Sequence, residues 1–166
     1  MAVEELSHFI GGKHVKGTSG RFADVYWPMT GEVAARVPLA SKAELTAAVA
    51  NAKQAQLKWG AENPQRRGRV LAKFVALINR DMEKLADQLA REHGKTIPDA
   101  KGDIQRGLEV AEFATGIPHL MKGEFTDGAG PGIDMYSLRQ PLGVVCLLYT
   151  SPSPRDRTRS RMPSSA

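Results

Sequence analysis

An α/β fold, with short β-hairpins ahead of about four helices, is predicted by three observations. Aromatic and β-branched runs broken by Gly and Pro turns fill the first forty residues. A helix-capping box at residue 41 opens four stretches of helical apolar spacing, and strand-like composition returns beyond residue 132.

His8, Phe9 and Ile10 run into Gly11-Gly12, and Lys13, His14 and Val15 follow. A Gly-Gly pair between two such runs signals a hairpin, because the tight turn demands positive φ at its centre. Phe22 to Trp27 is a second strand-like run stopped by Pro28-Met29-Thr30-Gly31, and Val33 to Val37 can pair back on it. Ser41 followed by Glu44 forms a capping box, after which Leu45, Ala48, Val49, Ala52, Ala55 and Trp59 recur at helical spacing. Asn63 and Pro64 supply the next cap and first-turn residue, with Val70, Leu71, Phe74, Leu77 and Ile78 on one face. Asp81 is expected to cap a third helix that buries Leu85, Ala86 and Leu89 and ends at a left-handed Gly94. The fourth starts near Pro98, buries Ile104, Leu108 and Ala111, and stops at Gly116 and Pro118. These stripes are expected to be core. Gly123 to Gly132 reads as a glycine-rich loop, Ile133 to Arg139 as a strand, and Leu142 to Val145, after Pro141, as the start of a buried parallel strand. Gly128, Gly130 and Gly132 are not a dinucleotide fingerprint, which needs a strand before it and a helix after it.

The last twenty-one residues differ in character. Cys146 to Asp156 matches a translated reading frame of a common sequencing-library adapter, and Ser160 to Ala166 matches a second oligonucleotide piece. The tail is therefore expected to be adapter-derived and disordered, leaving Met1 to Val145 as the natural part and Cys146, the sole cysteine, without standing as a nucleophile. Arg155, Arg157, Arg159 and Arg161 against Asp156 contribute three of the five net positive charges, and the remaining +2 is no electrostatic footprint for nucleic acid. No apolar run approaches the ~20 residues a bilayer span needs, so no membrane partner and a cytoplasmic location are expected. His8, His14, His93 and His119 have no metal-ligand spacing. Glu109 and Glu112 lack an acid/base partner, and Lys13, Lys16 and Arg21 are dispersed as on an ordinary surface.

Four segments carry a family likeness: His8-Phe9-Ile10-Gly11-Gly12, Pro28-Met29-Thr30-Gly31-Glu32-Val33, Glu92-His93-Gly94-Lys95-Thr96 and Arg139-Gln140-Pro141-Leu142-Gly143-Val144-Val145. In order and separation they resemble the amino-terminal portion of the aldehyde dehydrogenase superfamily. Gly102 to Glu109 running on through Glu112-Phe113-Ala114, with Gly116 to Leu120 and Gly132 to Ser137, is similar to the branch acting on methylmalonate semialdehyde and acylating coenzyme A.

That resemblance implies an NAD-dependent oxidoreductase in which a cysteine thiolate attacks the aldehyde and hydride passes to NAD. The acyl group then passes to coenzyme A with the substrate carboxylate lost as carbon dioxide during turnover, giving propionyl-coenzyme A from methylmalonate semialdehyde or acetyl-coenzyme A from malonate semialdehyde, in valine, β-alanine or inositol breakdown. It implies an amino-terminal part of the NAD-binding domain over residues 1–132, an oligomerisation strand and the start of the next sheet strand over 133–145, and a homo-oligomeric, homotetrameric parent. Catalytic, NAD-contacting and metal-ligating residues are expected to be absent from this chain. The one implied site residue is Arg106, at the position where the branch carries an arginine for the substrate carboxylate. Read from its neighbours alone, Arg106 between Asp103 and Glu109 is a solvated helix arginine paired with one of them. A rival reading of the whole chain is a small non-enzymatic interaction domain with an Arg/Ser-rich tail that binds RNA or a partner.

Overall fold

The computed structural model describes residues 3–147; the proposed adapter-derived and RNA-binding segments lie almost wholly outside them. The first hairpin pairs β2 (His8–Ile10) with β3 (Lys13–Val15) across Gly11-Gly12, both at positive φ as the turn requires. β4 (Phe22–Tyr26) runs antiparallel to β5 (Val33–Pro38), and the two-residue β1 (Glu4–Glu5) adds parallel to the other edge of β5. β1 is too short to show any alternation in the sequence.

The helices follow their sequence signals closely. α1 (Lys42–Ala61) begins at Ser41, whose hydroxyl accepts from the Glu44 N–H at 3.2 Å while the Glu44 carboxylate accepts from the Ser41 N–H at 2.8 Å. The Thr18 N–H donates to the same carboxylate at 2.7 Å, so Glu44 also ties the first hairpin region to the helix. These backbone donors, Ser41 first and then Thr18, hold the Glu44 pKa at about 2 against its ordinary 4.5. A depressed carboxyl stabilises fully above its unfolded pKa and loses that contribution as pH falls through the folded one. The stability difference between the native chain and Glu44→Gln is therefore expected to shrink as pH falls from 4.5 to about 2, read from denaturant midpoints across that window.

α2 (Pro64–Arg80) starts from the Asn63 cap, and α3 (Met82–His93) ends at Gly94 in the left-handed region, φ 70°. α4 (Ile97–Thr115) starts from a Thr96 cap, and α5 (Ile117–Leu120) is a single turn beyond Gly116. α2 and α3 both pack on α4. Ala86, Ala90 and Ala100 form the buried contact between α3 and α4, with Leu89 and Ile104 packed against it. Small side chains there let the helices approach closely. Gly68 does the same for α2: a Cβ at that position would stand 2.9 Å from the Thr115 carbonyl oxygen.

Several expectations are corrected. Gly123 to Gly132 is not simply a loop, because β6 (Phe125–Gly130) pairs antiparallel with β7 (Ile133–Tyr136). Pairing overrides the low strand propensity of glycine: the ladder skips a bulged stretch between Thr126 and Gly130, and Gly132 at φ 71° makes the turn. The strand foreseen to Arg139 stops at Tyr136, which lies opposite Phe125, the first residue of its partner. Leu142 to Val145 form no strand, and Leu142 is 96% exposed, since no described neighbour offers a ladder. Asp81 makes no side-chain cap; its carboxylate accepts from Arg80 at 2.7 and 2.9 Å instead. The α1 stripe is not core in this chain, with Leu45 60%, Val49 48% and Trp59 45% exposed. The stripe of α2 is likewise half open at Val70 and Phe74.

Candidate functional site

The junction of α3 and α4 gathers the charged residues of most interest. The α3 helix closes with the N–H groups of Gly94 and Lys95 both donating to the Ala90 carbonyl, at 2.8 and 3.2 Å. Only glycine suits position 94. Its φ is positive, and a Cβ would stand 3.0 Å from Pro28 Cγ, in the turn between β4 and β5 that closes over this end of the helix. The reversal sends Lys95 back along α4. Its side chain is 16% exposed, and its ammonium donates to Asp99 at 3.1 Å and to Asp103 Oδ2.

Asp103 is bonded on both oxygens. While Oδ2 takes Lys95, Oδ1 accepts from Arg106 Nη1 at 3.2 Å. Residues 99, 103 and 106 are spaced four and three apart and so share one helix face, giving a row in which two aspartates stand between the cations of Lys95 and Arg106. Hydrogen bonding from Lys95 holds the Asp103 carboxyl below its ordinary range, with the charges of Lys95 and Arg106 adding to it. Lys95 is raised in turn, by Asp103 first and Asp99 second. The Arg106 side chain is 70% exposed. Its guanidinium lies back over Gly102, as helical side chains lean toward the amino terminus, with Nη2 4.0 Å from where a Gly102 Cβ would be.

Arg106 is therefore paired with Asp103, as its neighbours alone predicted, and it is also open to a ligand. Glu109, the other candidate partner, accepts from Gln105 at 3.2 Å. A groove of about 470 Å³ is walled by Trp27, Pro28, Met29, Ala90, Gly94 and Lys95; Arg106 does not line it. Gly128, Gly130 and Gly132 sit in the β6–β7 hairpin, so these three glycines form no strand–glycine–helix cradle for a dinucleotide. Cys146 is exposed. Among the described residues no three His, Cys, Asp or Glu side chains cluster as a metal site, and no helix is long and apolar enough to cross a membrane.

One residue escaped the sequence reading. Arg67 is 6% exposed at the α2–α5 contact; its Nη2 donates to Met121 Sδ at 3.0 Å, and its Nε has no partner among the described residues. The signal was present: position 67 shares a helical face with Leu71, Val75 and Ile78, which are half-buried, so a cation there is carried inward.

The family profile described as "Aldehyde dehydrogenase family" matches residues 14–150. The chain belongs to the aldehyde dehydrogenase family. Within it, the chain is 46% identical over 139 residues to the acylating, mitochondrial methylmalonate-semialdehyde dehydrogenase of Arabidopsis thaliana, covering 84% of this chain and 23% of that protein. It is 46% identical over 140 residues to malonate-semialdehyde dehydrogenase 2 of Geobacillus thermodenitrificans, covering 84% and 29%. The crystal structure of a "putative methylmalonate-semialdehyde dehydrogenase" from Sinorhizobium meliloti, complexed with NAD, superposes with a TM-score of 0.81 at 65% identity, over 86% of this chain and 29% of the other. This aldehyde dehydrogenase chain thus spans less than a third of the length of these relatives.

Proposed function

We propose that the chain is part of a CoA-acylating semialdehyde dehydrogenase that oxidises methylmalonate or malonate semialdehyde. The observation that carries the reading is an exposed arginine on α4, Arg106, in a segment that resembles enzymes named for these two substrates. Both substrates bear a free carboxylate beside the aldehyde. A guanidinium matches a carboxylate with two parallel N–H donors, which binds the substrate and fixes its orientation together. In this reading Arg106 sets which way the aldehyde points, while the remainder of the full-length enzyme supplies the thiolate, NAD as hydride acceptor and coenzyme A as acyl acceptor.

Residues 1–132 then belong to the NAD-binding domain. β7, with Met135 61% and Tyr136 73% exposed, enters the strand element through which subunits pair. The rival interaction-domain reading leaned on Ser151 to Ala166, outside the described residues.

A full-length enzyme carrying this segment, supplied with methylmalonate semialdehyde and NAD, is expected to form NADH and, on adding coenzyme A, propionyl-coenzyme A, followed by absorbance and mass spectrometry. Turnover that yields only the free acid, with coenzyme A left unconsumed, would reject the acylating assignment.

A further inference from the structure

We infer that Asp103, clamped by Lys95, is the positioning residue that presents Arg106 to a substrate carboxylate, an inference that rests on the substrate reading above. The geometry is specific to one edge of the guanidinium. Asp103 engages Nη1, the terminal nitrogen cis to Cδ, which lies away from the Nε–H bond. The Nε–Nη2 edge, whose two N–H bonds run parallel, carries no hydrogen bond among the described residues and is the edge that fits two carboxylate oxygens.

Lys95 makes this arrangement workable. An aspartate alone beside Arg106 would be a counter-ion in competition with the substrate. Lys95 occupies the other Asp103 oxygen and shares its charge, so Asp103 still fixes the rotamer but attracts the guanidinium less. Asp99 in turn takes a second hydrogen bond from Lys95 and holds the ammonium in place. Glu109, which could pull Arg106 the other way along α4, is engaged by Gln105. Exposed ion pairs of this kind add little to stability. What the row fixes is the position of a flexible side chain that otherwise samples many rotamers.

The test uses a full-length enzyme carrying this segment, with kcat and KM measured for methylmalonate semialdehyde and for propanal, which lacks the carboxylate. Asp103→Asn and Lys95→Met are each expected to raise KM for the carboxylated substrate about tenfold, with kcat within about twofold and propanal kinetics unchanged. Lys95→Arg, which keeps the cation, is expected to restore the native KM. An unchanged KM in both Asp103→Asn and Lys95→Met, or an equal loss on both substrates, overturns the positioning role. Arg106→Ala separates the two readings. If it removes the preference for the carboxylated substrate and Asp103→Asn does not, the positioning inference alone falls. If it leaves the preference intact, the substrate reading falls and takes the inference with it. Should Asp103→Asn fail to fold, the Lys95→Met and Lys95→Arg pair decides the same question.

Discussion

Arg106→Ala, in a full-length enzyme carrying this segment, is expected to lower kcat/KM for methylmalonate semialdehyde by about 30- to 4000-fold. Removing one partner of a hydrogen-bonded charge pair in a closed site costs about 2–5 kcal/mol, and each 1.4 kcal/mol is about tenfold. The loss arises because the substrate carboxylate is left without its partner in both the bound state and the transition state. Propanal has no carboxylate, and its kcat/KM is expected to fall by less than about threefold. Arg106→Lys keeps the charge but loses the planar fork, and should fall between the two. NADH absorbance with both aldehydes reads all of these.

Trp59→Ala is expected to destabilise the full-length enzyme by about 3–5 kcal/mol and the isolated chain by no more than about 1 kcal/mol. In this chain Trp59 is 45% exposed at the end of a stripe that includes Leu45, Val49 and Ala52, and nothing packs extensively on α1 among the described residues. A surface position of that kind tolerates truncation. Yet the segment after β7 already comes to this stripe. Val144 and Gly143 share a groove with Ala52, Gln56 and Trp59, and Pro141 lies within 3.4 Å of where a Gly60 Cβ would be. Helices flank parallel strands in α/β folds, so a sheet continuing from Leu142–Val145 would cover the Trp59 indole and take it out of water. Urea unfolding of both proteins, native and variant, measures the two differences. Equal losses in both contexts would mean that α1 turns this face to solvent in the full-length enzyme as well.

How much was legible in advance follows from which interactions are local. Ser41 with Glu44, Asn63 with Pro64, and Gly94 each act within a few residues, so caps and helix ends could be placed from adjacent letters. The Gly11-Gly12 hairpin is local in the same sense. β6 was hidden because Phe125 to Gly130 carries three of its strand signals as contradictions: glycines at 128 and 130 and a positive φ at Gly128, tolerated only because β7 lies alongside. Asp81 was misjudged because a side chain free to cap was also next to Arg80, and the ion pair won. The pairing of Arg106 with Asp103 could be anticipated from their spacing of three on one helix. The Lys95–Asp103 ion pair could not, because it joins residues across a helix end and depends on how Gly94 turns the chain.

The order and type of α1 to α4 and of the two leading hairpins were determined by the sequence alone, through capping chemistry, apolar periodicity and turn glycines that operate over one or two turns of chain, whereas the single turn of α5 through Pro118 was not foreseen. The bonding of Asp103, the burial of Arg67, the pairing of β6 with β7 and the exposure of the α1 stripe were decided only by tertiary structure. A side chain's solvent and its partners are set by which elements meet in space, and that is a property of packing between segments, absent from the spacing of residues within any one of them.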